Sequence, residues 1–179
     1  MINLSELISK DASISGKLRI HYSPVPVEQL EDKTSRNAAD IKPRGLWYGF
    51  GREWIDYVEG NSELRHKRGR YIYFVKVHNL KRVLQLSGIG DILKFSKEYA
   101  DWRRGNSYLI DWAKVTKRYS GIEINPHSDA AQRYANGGGG GTFNDLMWYR
   151  DWDVASGCMW DLNNISIKLI FPRQKDDKT

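Results

Sequence analysis

Residues 42–58, KPRGLWYGFGREWIDYV, set Trp47, Tyr48, Phe50, Trp54 and Tyr57 among Gly45, Gly49 and Gly51. Flat aromatic faces beside a tight turn suit the wall of a cleft that stacks a planar ligand, with bare backbone N–H groups at its mouth. On residue types alone the core reading is favoured, since most aromatics are core, with the glycines only turning the chain. Other chemistries are easier to exclude. His21, His66, His78 and His127 form no HxxxH pair and have no cysteine partner pattern, so no metal centre is expected. There is no GxxxxGK[ST] and no GxGxxG, and Gly49-Phe50-Gly51 is too short for a phosphate loop. Ser-His-Asp chemistry stays open, although no GxSxG elbow appears.

Elements must position these side chains. Gly45–Tyr48 reads as a buried strand, broken by Gly49 and Gly51 and followed from Arg52 by helical spacing of Trp54, Ile55, Tyr57 and Val58. KLRIHYS (17–23) is a short strand that Pro24 and Pro26 end. Strict alternation makes YIYFVKVH (71–78) the clearest strand, and RVLQL (82–86), YSGIEI (119–124) and ISIKLIF (165–171) follow. The spacing of Ile92, Phe95 and Tyr99 predicts a helix over 90–102, and 107–119 reads as another. Residues 1–16 read as a polar helix or loose arm, and EQLEDKTSRNAADIKP (28–43) as a polar loop. NGGGGGT (136–142) reads as a flexible segment, a surface loop or a lid hinge. Strands and helices do not alternate regularly, which favours a mixed α+β fold over a doubly wound sheet.

The 179 residues fit one domain, 1–179, long enough for a sizeable core. No apolar run approaches the ~20 residues of a membrane span. The N-terminal residues lack the basic start and apolar centre of a signal peptide, and Cys158 is a single cysteine, so a cytoplasmic protein without membrane partners is expected. Net charge is +6. Basic residues gather at Arg65, His66, Lys67, Arg68 and Arg70, at Arg103-Arg104 and at Lys117-Arg118. Interleaved Tyr and Trp would suit nucleic acid, but acidic residues are mixed in throughout, and 65–70 is expected to be a solvated loop.

Three segments carry a resemblance through their order. His21-Tyr22-Ser23 ends the first strand, GLWYGFGREWIDY follows, and ASGCMWDLNNISIKLI comes late. This series resembles the ADP-ribosyltransferase superfamily, especially its poly-ADP-ribose-polymerase-like and diphtheria-toxin-like branch. There the first strand ends in His-Gly-Ser/Thr. A second segment runs Gly-Ile-Tyr-Phe-Ala, then a turn and a helix ending in Tyr. A late strand begins with the catalytic Glu and continues Val-Val-Tyr-Asp, two spacers and Gln-Ile.

The resemblance implies an α+β, split, mostly antiparallel sheet with flanking helices around an NAD cleft. His21 would bind a ribose hydroxyl of NAD, Ser23 is the small hydroxyl residue, and Tyr22 replaces the family Gly. Gly45, Leu46, Trp47 and Tyr48 match Gly-Ile-Tyr-Phe. Tyr57 falls at the Tyr that stacks on nicotinamide, after a shorter turn. Cys158–Asp161 matches Val-Val-Tyr-Asp, and Asn164-Ile165 matches Gln-Ile. That register puts Ser156 in the place of the catalytic Glu. A neutral hydroxyl holds ribose but stabilises little developing charge, so Asp153 or Glu123 is expected to supply the carboxylate. The implied activity is an NAD-consuming ADP-ribosyl transfer, of the glycosyltransferase class, to a protein or nucleic-acid acceptor, as in a bacterial toxin or phage factor. NAD enters as substrate and no metal is called for. The missing Glu and the basic surface favour a rival: a non-enzymatic nucleic-acid-binding or interaction protein on the same fold.

Overall fold

The alternating run at Tyr71–Val77 is extended, as its period requires, and lies near one edge of a single sheet. The computed structural model describes residues 18–30, 41–101, 109–137 and 145–172. Its strands are β1 (Arg19–Ser23), β2 (Leu46–Phe50), β3 (Tyr71–Val77), β4 (Val83–Leu86), β5 (Gly121–Ile124), β6 (Ser156–Met159) and β7 (Ile165–Pro172). They form a seven-stranded sheet in the order β4-β5-β6-β2-β1-β3-β7. β4 and β5 run parallel; the other neighbours are antiparallel. The fold is therefore α+β on an open, mostly antiparallel sheet. Among the described residues no helix is long and apolar enough to cross a membrane.

Helix α1 (Glu53–Gly60) follows β2 after one tight turn. Gly51 supplies that turn at φ 58°, a conformation that favours glycine. Gly49 does not end the strand, as its type suggested, but continues it. Its missing side chain lets α1 approach: a Cβ there would sit 2.7 Å from the Trp54 Cβ. Helix α2 (Ile89–Tyr99) buries Ile92, Phe95, Ser96 and Tyr99 along one side. The helix expected over 107–119 shrinks to α3 (Trp112–Thr116). Ile110 is taken by a β-bridge to Ala100, and the Asp111 side chain accepts the Lys114 N–H at 3.1 Å, which starts the helix there. Helix α4 (Asp129–Ala135), capped by Ser128, has no counterpart in the sequence reading. Residues 62–67 form a 3-10 helix instead of a loop. The N-terminal arm (1–16), Arg103-Arg104 and most of the glycine run lie outside the described residues.

Cross-strand partners share a face, so the row Ile20–Gly49–Ser156–Ile124 fixes one side of the sheet. Two cores sit on that side. Ile20 and Tyr22 pack with Ile55 and Val58 of α1, and Ile72. Ile122, Ile124 and Cys158 pack under α2, α3 and α4 with Trp112, Trp148, Trp152 and Trp160. Those four Trp are no more than 2% exposed. Burying a large apolar side chain contributes ~1.5–3 kcal/mol, so these rings hold the helices to the sheet. Gly49 and Ser156 lie between the two cores.

Candidate functional site

The ladder between β1 and β2 contains Arg19↔Phe50 and Ile20↔Gly49, and stops. β1 continues alongside β3 to Ser23↔Tyr71, while β2 continues alongside β6 to Leu46↔Met159. The sheet thus opens between His21 and Tyr48. The His21 ring spans the opening, with Nδ1 2.6 Å from the Trp47 carbonyl oxygen. A carbonyl only accepts, so Nδ1 carries the proton and Nε2 is the acceptor nitrogen of the neutral ring. A cavity of about 540 Å³ opens at this place. His21, Tyr22 and Pro24 line it from the β1 side, and Lys42, Trp47 and Tyr48 from the β2 side. Trp152, Asp153, Val154 and Ser156 come from the approach to β6, Trp54 from α1, and His66 and Lys67 from the 3-10 helix.

The wall is stiff. Trp47 and Trp152 meet at 4.9 Å between ring centroids, and the Lys42 ammonium lies 5.4 Å from the Trp47 ring. Lys42 also donates to the Asp151 carbonyl oxygen. The segment 152–156 is pinned at several points. His127 Nε2 donates to the Trp152 carbonyl at 2.6 Å, and the Ala155 N–H donates to Glu53 at 3.0 Å. The Phe50 N–H donates to the Ala155 carbonyl at 3.2 Å. The Ser156 hydroxyl donates to the Val154 carbonyl at 3.0 Å.

Burial holds His21 below the usual histidine range, with the Trp47 carbonyl opposing. Burial also lowers the Lys42 ammonium; Asp153 and Asp151 oppose this, and Lys67 adds like-charge repulsion. Asp153 is the carboxylate among the lining residues. Burial, then the Asp153 charge, raises the Tyr57 phenol above its ordinary value.

Glu123 lies elsewhere. It is 4% exposed and paired with Arg19, at 2.5 Å to Nε and 3.1 Å to Nη2. It also accepts the Tyr48 hydroxyl at 2.6 Å. Gly157 makes room for this contact, since a Cβ there would sit 2.7 Å from the Tyr48 ring. Glu123 and Arg19 border a second cavity of about 310 Å³, with Phe50, Gln85 and Asn125. Burial, then the charge of Glu123, holds the Tyr48 phenol well above its ordinary value, so it is a neutral donor.

The structure therefore brings His21, Tyr22, Trp47, Tyr48, Asp153 and Ser156 to one cavity. Tyr57 stands behind the wall, stacked on Trp54 at 5.7 Å. The Ser23 hydroxyl turns to its own loop, donating to the Val25 carbonyl at 2.7 Å. Gly45 is a packing position, where a Cβ would lie 2.3 Å from the Met159 carbonyl oxygen. Glu123 is paired with Arg19 and Tyr48 and lines the second cavity, not the one that Ser156 lines. Sequence reasoning missed Lys42 and Trp152. Lys42 stood inside the aromatic stretch, and Trp152 beside Asp153, but neither carried a periodic signal. Cys158 is wholly buried, with its thiol pushed well up by burial. Among the described residues no group of His, Cys, Asp and Glu is placed to hold a metal ion.

No protein-family model, curated protein or solved structure matches this chain.

Proposed function

We propose that the cavity at the sheet opening takes NAD, and that the protein passes ADP-ribose from it to a macromolecular acceptor on an ADP-ribosyltransferase-like split sheet. One observation carries the reading: His21, Tyr48 and Ser156, from three separate segments, line one cavity. His21 and Tyr48 match residues of that superfamily's motifs, and Ser156 occupies the position of its catalytic Glu. The volume of about 540 Å³ is in the range of small-molecule sites, and its aromatic walls suit a planar ring.

In this reading neutral His21 accepts a hydrogen bond from a ribose hydroxyl through Nε2. Tyr48, Trp47 and Trp54 flank the nicotinamide. The glycosidic C–N bond breaks, and its electron pair leaves with nicotinamide. A nucleophilic oxygen or nitrogen of the acceptor then bonds the sugar carbon and releases its proton to solvent. Positive charge develops on the sugar meanwhile, and Asp153 is the carboxylate available to offset it. Ser156 contributes a neutral hydrogen bond, which stabilises less.

The test is a melting curve with and without millimolar NAD, followed by NAD consumption in the presence of cell extract. NAD at 100 times its dissociation constant should add ~2.7 kcal/mol of stability. An unchanged melting temperature at millimolar NAD would sink the proposal.

A further inference from the structure

We infer that the ridge from Arg65 to Arg70, together with Lys42, binds a single-stranded nucleic acid and delivers one of its bases to the cavity. The ridge is the 3-10 helix Ser62–Lys67 and the residues that follow it. Arg65, His66, Lys67 and Arg70 are exposed, and none of them forms an ion pair with a described residue. Arg68, by contrast, is committed to Glu59, with Nη2 3.0 Å from its carbonyl oxygen. Unpaired cations held side by side repel one another, and a row of phosphates relieves that repulsion.

The ridge is fixed at the cavity mouth. The Arg70 N–H donates to the Ser23 carbonyl at 2.8 Å, which ties it to the end of β1 two residues past His21. His66 and Lys67 line the cavity itself, as do Lys42 and the partly exposed Trp47 and Trp54. Basic groups that track a backbone, next to aromatic faces that stack its bases, make a single-strand site. A base inside a duplex must first be unpaired and unstacked, which costs free energy, so the geometry favours unpaired strands. The strand's role as acceptor of ADP-ribose rests on the reading above; its binding does not.

The test is fluorescence anisotropy with a labelled mixed-sequence single strand of roughly 12 nucleotides, as DNA and as RNA, and with its duplex. Phosphate contacts from Lys42, Arg65, Lys67 and Arg70 predict a log–log salt slope near about −2.8, or a roughly 50-fold loss between about 50 and 200 mM salt. Arg65→Ala with Arg70→Ala should reduce the slope by about 1.4. Both side chains are exposed and outside the cavity lining, so this variant should keep its fold and any NAD-dependent melting shift. Trp54→Ala should weaken single-strand binding about tenfold with the slope retained. If that variant melts early, Trp54→Phe, which keeps a stacking face, should bind within a few-fold of wild type.

No binding at about 50 mM salt, equal binding of the duplex, or an unchanged slope in the double variant would each overturn the inference. An NAD-dependent melting shift without strand binding removes this inference and leaves the NAD reading standing. Strand binding without an NAD shift does the reverse.

Discussion

The Tyr48 hydroxyl donates a 2.6 Å hydrogen bond to Glu123 Oε1 on β5, and so joins the wall of the larger cavity to the ion pair that Glu123 makes with Arg19 of β1. Arg19 completes that pair, with 17% of its side chain exposed against 5% for Glu123. Tyr48 is thereby held in one orientation, with its ring over the bare backbone of Gly157. Glu123 thus acts on the candidate site through Tyr48.

Glu123→Ala should destabilise the protein by about 3 kcal/mol, because it strands the Arg19 charge and the Tyr48 hydroxyl. Glu123→Gln keeps an acceptor for Tyr48 and should lose less. Urea denaturation measures both. If Glu123→Gln abolished NAD consumption without any loss of stability, Glu123 would be acting on substrate directly.

Asp153→Asn should lower NAD consumption about a hundredfold, since in the proposed reaction it removes the carboxylate that offsets the developing positive charge. Ser156→Ala removes a neutral hydrogen bond, worth ~1 kcal/mol, and should cost only about fivefold. Initial rates on variants with wild-type melting temperatures decide this. Equal losses in the two would contradict the division of roles.

His21 should make stability pH-dependent. Its folded value is lowered by burial, so the unfolded chain binds the proton more readily. This contribution to stability is complete above about pH 6.5 and is lost as pH falls from there toward the lower folded value. His21→Gln keeps a donor for the Trp47 carbonyl and does not titrate. The stability of wild type relative to His21→Gln should therefore fall between about pH 7.5 and 5. A constant difference over that range would refute the assignment.

Cys158 should resist thiol reagents while the protein is folded. Its sulfur is fully buried, and burial raises the thiol well above its ordinary value, so little thiolate forms. Labelling by a chromogenic disulfide should follow the unfolding rate across a denaturant series. Rapid labelling of the native protein would show that the sheet under α2 and α3 opens.

Several elements were legible before any coordinate. Tyr71–Val77 alternates, Ile165–Pro172 is a β-rich run, and Ile92, Phe95 and Tyr99 recur at helical spacing; each pattern is local, and each element formed. The strand–turn–helix reading of residues 42–58 also held, apart from Gly49, which extends the strand. Helix α4 was hidden because its buried residues are Ala131 and Ala135, too small to mark an apolar stripe. The bulk of the Trp residues proved to be core, as Trp112, Trp148, Trp152 and Trp160 show.

The sequence by itself determined most of the strands, the α+β class and the local turn that brings Trp54 against Gly49, because period and turn chemistry act over a few residues. Tertiary structure alone decided which distant groups meet. Arg19 claims Glu123 across 104 positions, and Lys42 lies over the rings of Trp47 and Trp152. Those meetings follow from strand order and register. The β1–β2 ladder ends at Ile20–Gly49 while both strands continue on other partners, and that opening makes the cavity. No local pattern encodes where a ladder stops, since it depends on how every other strand packs.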